Sequence, residues 1–269
     1  MKYQKNLSYP HQQYLKKNKR KKLFILSSQL GFLVFFIAIW QFLANFNLID
    51  SFITSSPIKI WIQLKNLISS GELFIHVWVS TKETIIGFIL GTALGTIIAI
   101  LLWWSPTLNK IFEPYLVVLN SLPKVALGPI IIIWAGTGQS AIITMAVLIS
   151  VIITTINMLN GFNNTDFNKI LLLKTMNASK FQIFTKLILP ANLLTLTSTL
   201  KINVGMAWIG TIMGEYLTSK AGLGYLILYG GQVFKLDLVM TCIFVLCVIA
   251  GIMYFLIALL EKSLARWQG

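Results

Sequence analysis

Long apolar runs, broken by short polar segments, set the pattern of this chain. Six runs read as membrane spans: residues 23–45, 76–104, 115–135, 140–159, 191–216 and 238–260. Each approaches or exceeds the ~20 apolar residues that cross a bilayer. In lipid a backbone has no water to bond, so each run is predicted to be a helix, and none alternates as a barrel strand would. The first run is too long for a signal-peptide core and lacks a small-x-small cleavage site, so it reads as retained. The expected fold is an all-α integral membrane protein with six transmembrane helices.

The polar segments differ in character. Residues 1–22 hold eight basic side chains (Lys2, Lys5, Lys16, Lys17, Lys19, Arg20, Lys21, Lys22) and no acid, and read as a disordered basic arm at the cytoplasmic face. Residues 46–75 read as an extracytoplasmic segment. Residues 76–269 form the remaining core, and within it about 160–190 is a lysine-bearing, semi-amphipathic interruption between apolar runs. A membrane protein that places such a segment outside the bilayer is expected to touch a partner with it.

Composition agrees with this class. The chain is 56% hydrophobic and 11% charged, where a soluble domain carries about 25% charged residues. The net charge of +14 invites a nucleic-acid reading, but its placement argues for membrane lipid instead. Fifteen basic residues lie in segments 1–22, 105–114, 160–190 and 261–269, against four in 46–75 and 217–237. That asymmetry obeys the positive-inside rule with both termini cytoplasmic. No aromatic interleaving suggests base stacking, so no nucleic-acid partner is expected. Cys242 and Cys247 share one apolar run and form neither a disulfide framework nor a metal knuckle. No cofactor or metal is implied.

Some positions carry local meaning. Gly87, Gly91 and Gly95 repeat at i+4 and make a flat face for close helix approach. Pro123 and Pro129 fall in one apolar run, so that helix should be kinked or broken, and broken helices in transporters tend to line cavities. Lys124 beside the break either snorkels to the interface or offers charge to an anion. Lys201 and Glu215 are ionisable residues inside the fifth run, fourteen apart and too distant to pair, with Asn203, Trp208 and Thr211 between them. An intramembrane charge defaults to a functional hypothesis. The expected pathway residues are therefore Pro123, Lys124, Lys201, Trp208 and Glu215.

No Gly-x-x-x-x-Gly-Lys-[Ser/Thr] pattern occurs, so ATP is not bound here by that route. A polytopic membrane enzyme is the alternative from another class. It would need convergent nucleophiles, carboxylates or histidines. The two histidines, His11 and His76, are far apart in sequence, and no catalytic residues are assigned.

In order along the chain come Ser56-Pro57, Gly71-Glu72-Leu73, Glu113-Pro114, Leu122-Pro123-Lys124-Val125-Ala126-Leu127 with Pro129, and Trp134-Ala135-Gly136-Thr137-Gly138. Then follow Asn177-Ala178-Ser179 to Leu189-Pro190, Gly205-Met206-Ala207-Trp208, Glu215, and Gly222-Leu223-Gly224-Tyr225-Leu226-Ile227. This series resembles binding-protein-dependent ABC importer permeases of the nitrate/sulfonate/taurine branch, over about residues 55–267. The resemblance implies a five-helix importer-permease core plus an N-terminal helix, in the plasma membrane of a prokaryote. It implies a separate ABC ATPase in two copies, a second permease copy as a homodimer, and an extracytoplasmic substrate-binding protein. The solute would be a small oxoanion such as a sulfonate or nitrate, or else a thiamine-precursor pyrimidine or other vitamin-like molecule.

The resemblance also assigns an ATPase-coupling loop: Leu171, Leu173, Met176, Asn177, Ala178, Ser179, Phe181, Phe184 and Pro190. A short helix at about 171–184 would enter the ATPase cleft, with Pro190 as hinge. The family's loop opens with an acid, two small residues, three others and Gly. Here those positions are Leu171, Leu172, Leu173 and Asn177. Asn tolerates the left-handed turn that Gly would make, but Leu171 for an acid implies either a greasier contact or a divergent partner ATPase.

Overall fold

The computed structural model describes residues 9–268. The start of the basic arm, with Lys2 and Lys5, lies outside the described residues, as does the His11 side chain. Among the described residues every regular element is a helix. Four helices are long and apolar enough to cross a membrane, or six if each of two bent pairs counts as one span.

Helix α1 (Tyr9–Asn45) is continuous. From Tyr9 onward the arm is therefore helical, not disordered. Lys, Arg, Gln and Leu are all good helix formers, and the helix already nucleated in the apolar run extends through them. α1 stands at the periphery, where Gln41 accepts a bond from the Ile58 amide at 3.1 Å. Segment 46–75 is mostly helical too. α2 (Ser51–Thr54) is capped by Asp50, and α3 (Pro57–Ser69) by Ser56 with Pro57 in its first turn.

The centre is three helices: α4 (Glu72–Trp104), α7 (Gln139–Asn163) and α11 (Leu193–Thr218). A Cβ on Gly87, Gly91 or Gly95 would come within 2.5, 2.6 and 2.5 Å of the Cβ atoms of Ala146, Ser150 and Thr154. The i+4 glycine face of α4 thus lies against an i+4 row of small residues on α7, as the sequence predicts. α11 uses the same device, since a Cβ on Gly210 would meet the Ala146 Cα at 2.4 Å. Lipid tails are as apolar as leucine, so this close backbone packing, not hydrophobic burial, holds the helices together.

Between α4 and α7 the third predicted span is not one helix. α5 (Pro106–Ser121) begins well before residue 115, capped by Ser105 with Pro106 in its first turn. It ends at Leu122 and Pro123. A 3-10 turn at Lys124–Leu127 then leads into α6 (Gly128–Ala135), and the two arms meet at 90°. Pro123 and Pro129 both lack the amide a continuous helix needs there. Gly136 and Gly138, at φ +80° and +87°, turn the chain into α7.

After α7 come α8 (Phe167–Thr175), α9 (Lys180–Ile183), a π-helical turn at Phe184–Ile188 and α10 (Leu189–Ala191). The Lys180–Ala191 stretch meets α11 at 58°. α12 (Leu223–Gln232) and α13 (Leu236–Gln268) complete the chain.

Candidate functional site

The segment between α7 and α11 is built to present one face and bury another. α8 ends in a Schellman motif. Ala178 N–H donates to Leu173 O at 3.0 Å, Asn177 N–H donates to Lys174 O at 3.0 Å, and Asn177 sits at φ +57°. The left-handed turn read from Asn177 is thus present. Leu173 and Ala178, the two residues such a motif brings together, pack on one buried cluster. Ser179 then starts α9 with a capping box: its hydroxyl accepts from the Gln182 amide, and the Gln182 side chain accepts from the Ser179 amide. The single helix expected at 171–184 is therefore two short helices with a tight turn between them.

Phe184 is 7% exposed and packs with Phe162, Met158 and Ile188. Its ring lies 5.7 Å from that of Phe162 and 5.2 Å from that of Trp103. Lys180 donates to the Trp104 carbonyl at the end of α4 and stands 5.4 Å from the Trp103 ring. These contacts clamp the segment to the ends of α4 and α7. Leu173 and Phe184, expected on the docking face, are instead anchors facing the protein. The outward face carries Phe167, Leu172, Met176 and Phe181, at 68%, 61%, 71% and 63% exposure, together with Leu171. An apolar patch of this extent on a short polar-flanked segment marks an interaction surface.

At the return to the membrane Pro190 follows the π-helical turn. Asn192 fills the bend: its amide donates to Ile188 O and Thr165 Oγ1, both at 2.9 Å. The break is therefore hydrogen-bonded rather than loose.

The five expected pathway residues do not converge. Pro123 and Lys124 sit at the α5–α6 bend. There the Lys124 ammonium donates to Asn120 O at 3.0 Å, satisfying a carbonyl of the last turn of α5. Lys201 faces away, in an ion pair with Glu261 of α13. The assumption of an unpaired intramembrane lysine is thus corrected; the partner lies sixty residues on. Trp208 is buried with Val204 and Ile257, between α11 and α13. Glu215 is fully buried. It accepts from Ser80 Oγ and from the Gly224 amide, at the start of α12. Ser80 Oγ in turn accepts from Leu223 N–H at 2.7 Å. A Cβ on Gly222 would lie 2.4 Å from the Glu215 carboxyl. The Gly222-Leu223-Gly224 run thus wraps the Glu215 carboxyl at the N-terminus of α12, where a backbone amide meets it.

Residues 91–267 match the family described as binding-protein-dependent transport system inner membrane component. The chain belongs to this family. It is similar to the putative aliphatic sulfonates transport permease protein SsuC of Bacillus subtilis, 30% identical over 233 residues, 87% of this chain and 84% of that one. It is also similar to the formylaminopyrimidine transport permease protein ThiX of Halalkalibacterium halodurans, 29% identical over 237 residues, 88% and 94% of the two chains. In fold it resembles the inward-facing MetNI methionine ABC transporter, with a TM-score of 0.64 and 18% identity over 70% of this chain and 94% of that one.

The permease is a transport subunit of the ABC importer type, multi-pass in the membrane. Among its described residues no group of three His, Cys, Asp or Glu side chains is placed to hold a metal. Three polar positions carry more of the interior than the sequence suggested. Asn203 donates to Thr92 Oγ1 at 2.9 Å and Thr154 Oγ1 at 2.6 Å, tying α11 to α4 and α7 at once. Glu83 is buried, with one carboxyl oxygen unpartnered. Glu261 answers Lys201. An acid sixty residues from its partner, on another helix, leaves no local spacing signal, but an intramembrane lysine asks for a partner.

Proposed function

We propose that this permease forms the membrane path for a small solute and is driven by a separate ATPase docking on the outward face of α8 and α9. The observation that carries the reading is that face. Five large apolar side chains stand exposed on a segment whose other side is clamped to α4 and α7. A rigidly anchored patch transmits a push to both helices, as a two-state coupling element requires. The ATPase is supplied as two copies, the permease as a homodimer, and the solute by an extracytoplasmic binding protein. Both termini and the α8–α9 face lie in the cytoplasm, in keeping with the charge asymmetry. The broken α5–α6 arm, with Ile133 and Trp134 almost wholly exposed, supplies the surface for the second copy.

Two solute classes remain from the relatives' names, a sulfonate-like oxoanion and a pyrimidine. The oxoanion reading asks for a cation facing the path. Lys201 does not provide one, because Glu261 neutralises it.

The test is reconstitution. The permease in proteoliposomes with a candidate ABC ATPase and binding protein from the same organism should take up solute only with ATP inside. A permease that fails to retain the ATPase on purification, and transports nothing with it, would sink the reading.

A further inference from the structure

At the α8 end of α7, where α11 begins, a cleft of about 590 Å³ opens between the helices. That is within the range of small-molecule sites, roughly 300–1,000 Å³. Its lining is unlike the rest of the interior. Asn157 and Asn160 of α7 and Asn164, its C-cap, stand at i, i+3 and i+7, so they line one side of the helix end. The opposite face, with Met158, Leu159 and Phe162, is buried in the apolar cluster behind Phe184. Ser198 of α11 looks into the same cleft.

None of the three asparagine amides has a hydrogen-bond partner among the described residues. Asn157 is half-buried, and Asn160 and Asn164 are exposed along the open cleft, so all three amides are free to bond to a solute that enters it.

The charge of the cleft is balanced. Asp166 and Lys169, both at the start of α8, are the ionisable residues on its rim. Asp166 already accepts from the Asn168 amide as the α8 cap. Lys201 is one helix face away and paired. An oxoanion leaving water here would meet one cation and one anion, with little net attraction. A primary amide presents an acceptor and two donors side by side. Three of them suit an uncharged ligand whose own edge alternates donor and acceptor.

We propose that this cleft is a solute site at the inner end of the permease path, taking a small uncharged molecule with an amide- or aminopyrimidine-type edge. The proposal rests on the importer reading and sharpens its substrate class.

The full-length permease in lipid nanodiscs is titrated with formylaminopyrimidine and, separately, with ethanesulfonate, by equilibrium dialysis. Formylaminopyrimidine should bind saturably and at least tenfold more tightly than ethanesulfonate. Asn160→Leu with Asn164→Leu should weaken it tenfold or more. Asn160→Asp, which keeps size and polarity but loses the donors, should weaken it as well, so a folding defect in the leucine variant leaves the test intact. Cys247→Ser, at an exposed position on α13, should bind normally. Absent binding, equal or tighter binding of ethanesulfonate, or binding indifferent to the asparagine changes would overturn the site. If the wild-type permease retains its ATPase while binding fails, the importer reading stands and the cleft proposal falls. If binding holds while no ATPase is retained, the reverse applies.

Discussion

Lys201 of α11 and Glu261 of α13 form an ion pair in which each side chain is about three-quarters buried. The Lys201 ammonium also stands 5.9 Å from the Tyr254 ring. A largely buried pair is worth little against an apolar replacement, but breaking one partner strands the other charge. Lys201→Met should therefore lower the thermal stability of the purified permease, and so should Glu261→Gln. The double variant should recover most of the loss, with a coupling of about 1 kcal/mol in the cycle. Thermal unfolding in detergent, followed by tryptophan fluorescence, measures this. Additive losses in the double variant would show that the pair does not act as a unit.

The glycine rows make a sharper prediction. A side chain at Gly91 would meet Ser150 Cβ at 2.6 Å and Val147 O at 3.3 Å. Gly91→Leu must push α4 off α7, an overpacking cost of about 3 kcal/mol or more. Its membrane abundance should fall severalfold. Gly205, also within a central helix, has nothing within 4 Å of a built Cβ. Gly205→Ala should be neutral or slightly stabilising, through helix propensity worth up to about 1 kcal/mol. Equal abundance of the two variants would contradict the packing described for α4 and α7.

Topology is tested by the charge asymmetry. A reporter active only in the cytoplasm, fused after Asn168 or at the C-terminus, should be active. Fused after Ser219 it should be silent. Activity at 219 would overturn the six-crossing arrangement, in which each bent pair counts as one span.

Much of this was legible from the chain. The apolar runs placed the long helices, the i+4 glycines placed a helix contact, and Pro123 with Pro129 announced a break. What escaped depends on distant partners. The proline pair says that α5 cannot continue, but the 90° angle is set by what α6 packs against. Phe184 looked like a docking residue because it is a large apolar side chain in a loop with no bilayer to bury it; Phe162 and Trp103, from two other helices, bury it. Lys201 looked unpaired because Glu261 is remote in sequence. Residues 9–22 looked disordered from like charge alone, yet the adjoining helix had already met the nucleation cost.

The coupling face is where the two-sided character of α8 and α9 can be read as function. Met176 and Phe181 point outward, while Phe184 points into the cluster at the ends of α4 and α7. The two kinds of residue should fail differently. Met176→Asp with Phe181→Asp should leave the permease inserted and as stable as before, because those side chains touch little of their own chain. Co-purification of the ATPase should drop at least tenfold, and uptake with it. Phe184→Ala removes a buried ring, at a cost of about 3 kcal/mol, and should lower stability and abundance first, with ATPase retention per folded permease falling less. Pull-down of the ATPase, normalised to inserted permease and paired with a melting curve, separates the two outcomes. If the aspartate pair retains the ATPase at wild-type levels, the docking surface is not the outward face of α8 and α9. If Phe184→Ala abolishes docking with stability unchanged, Phe184 contacts the ATPase directly, and its burial against Phe162 is not its role.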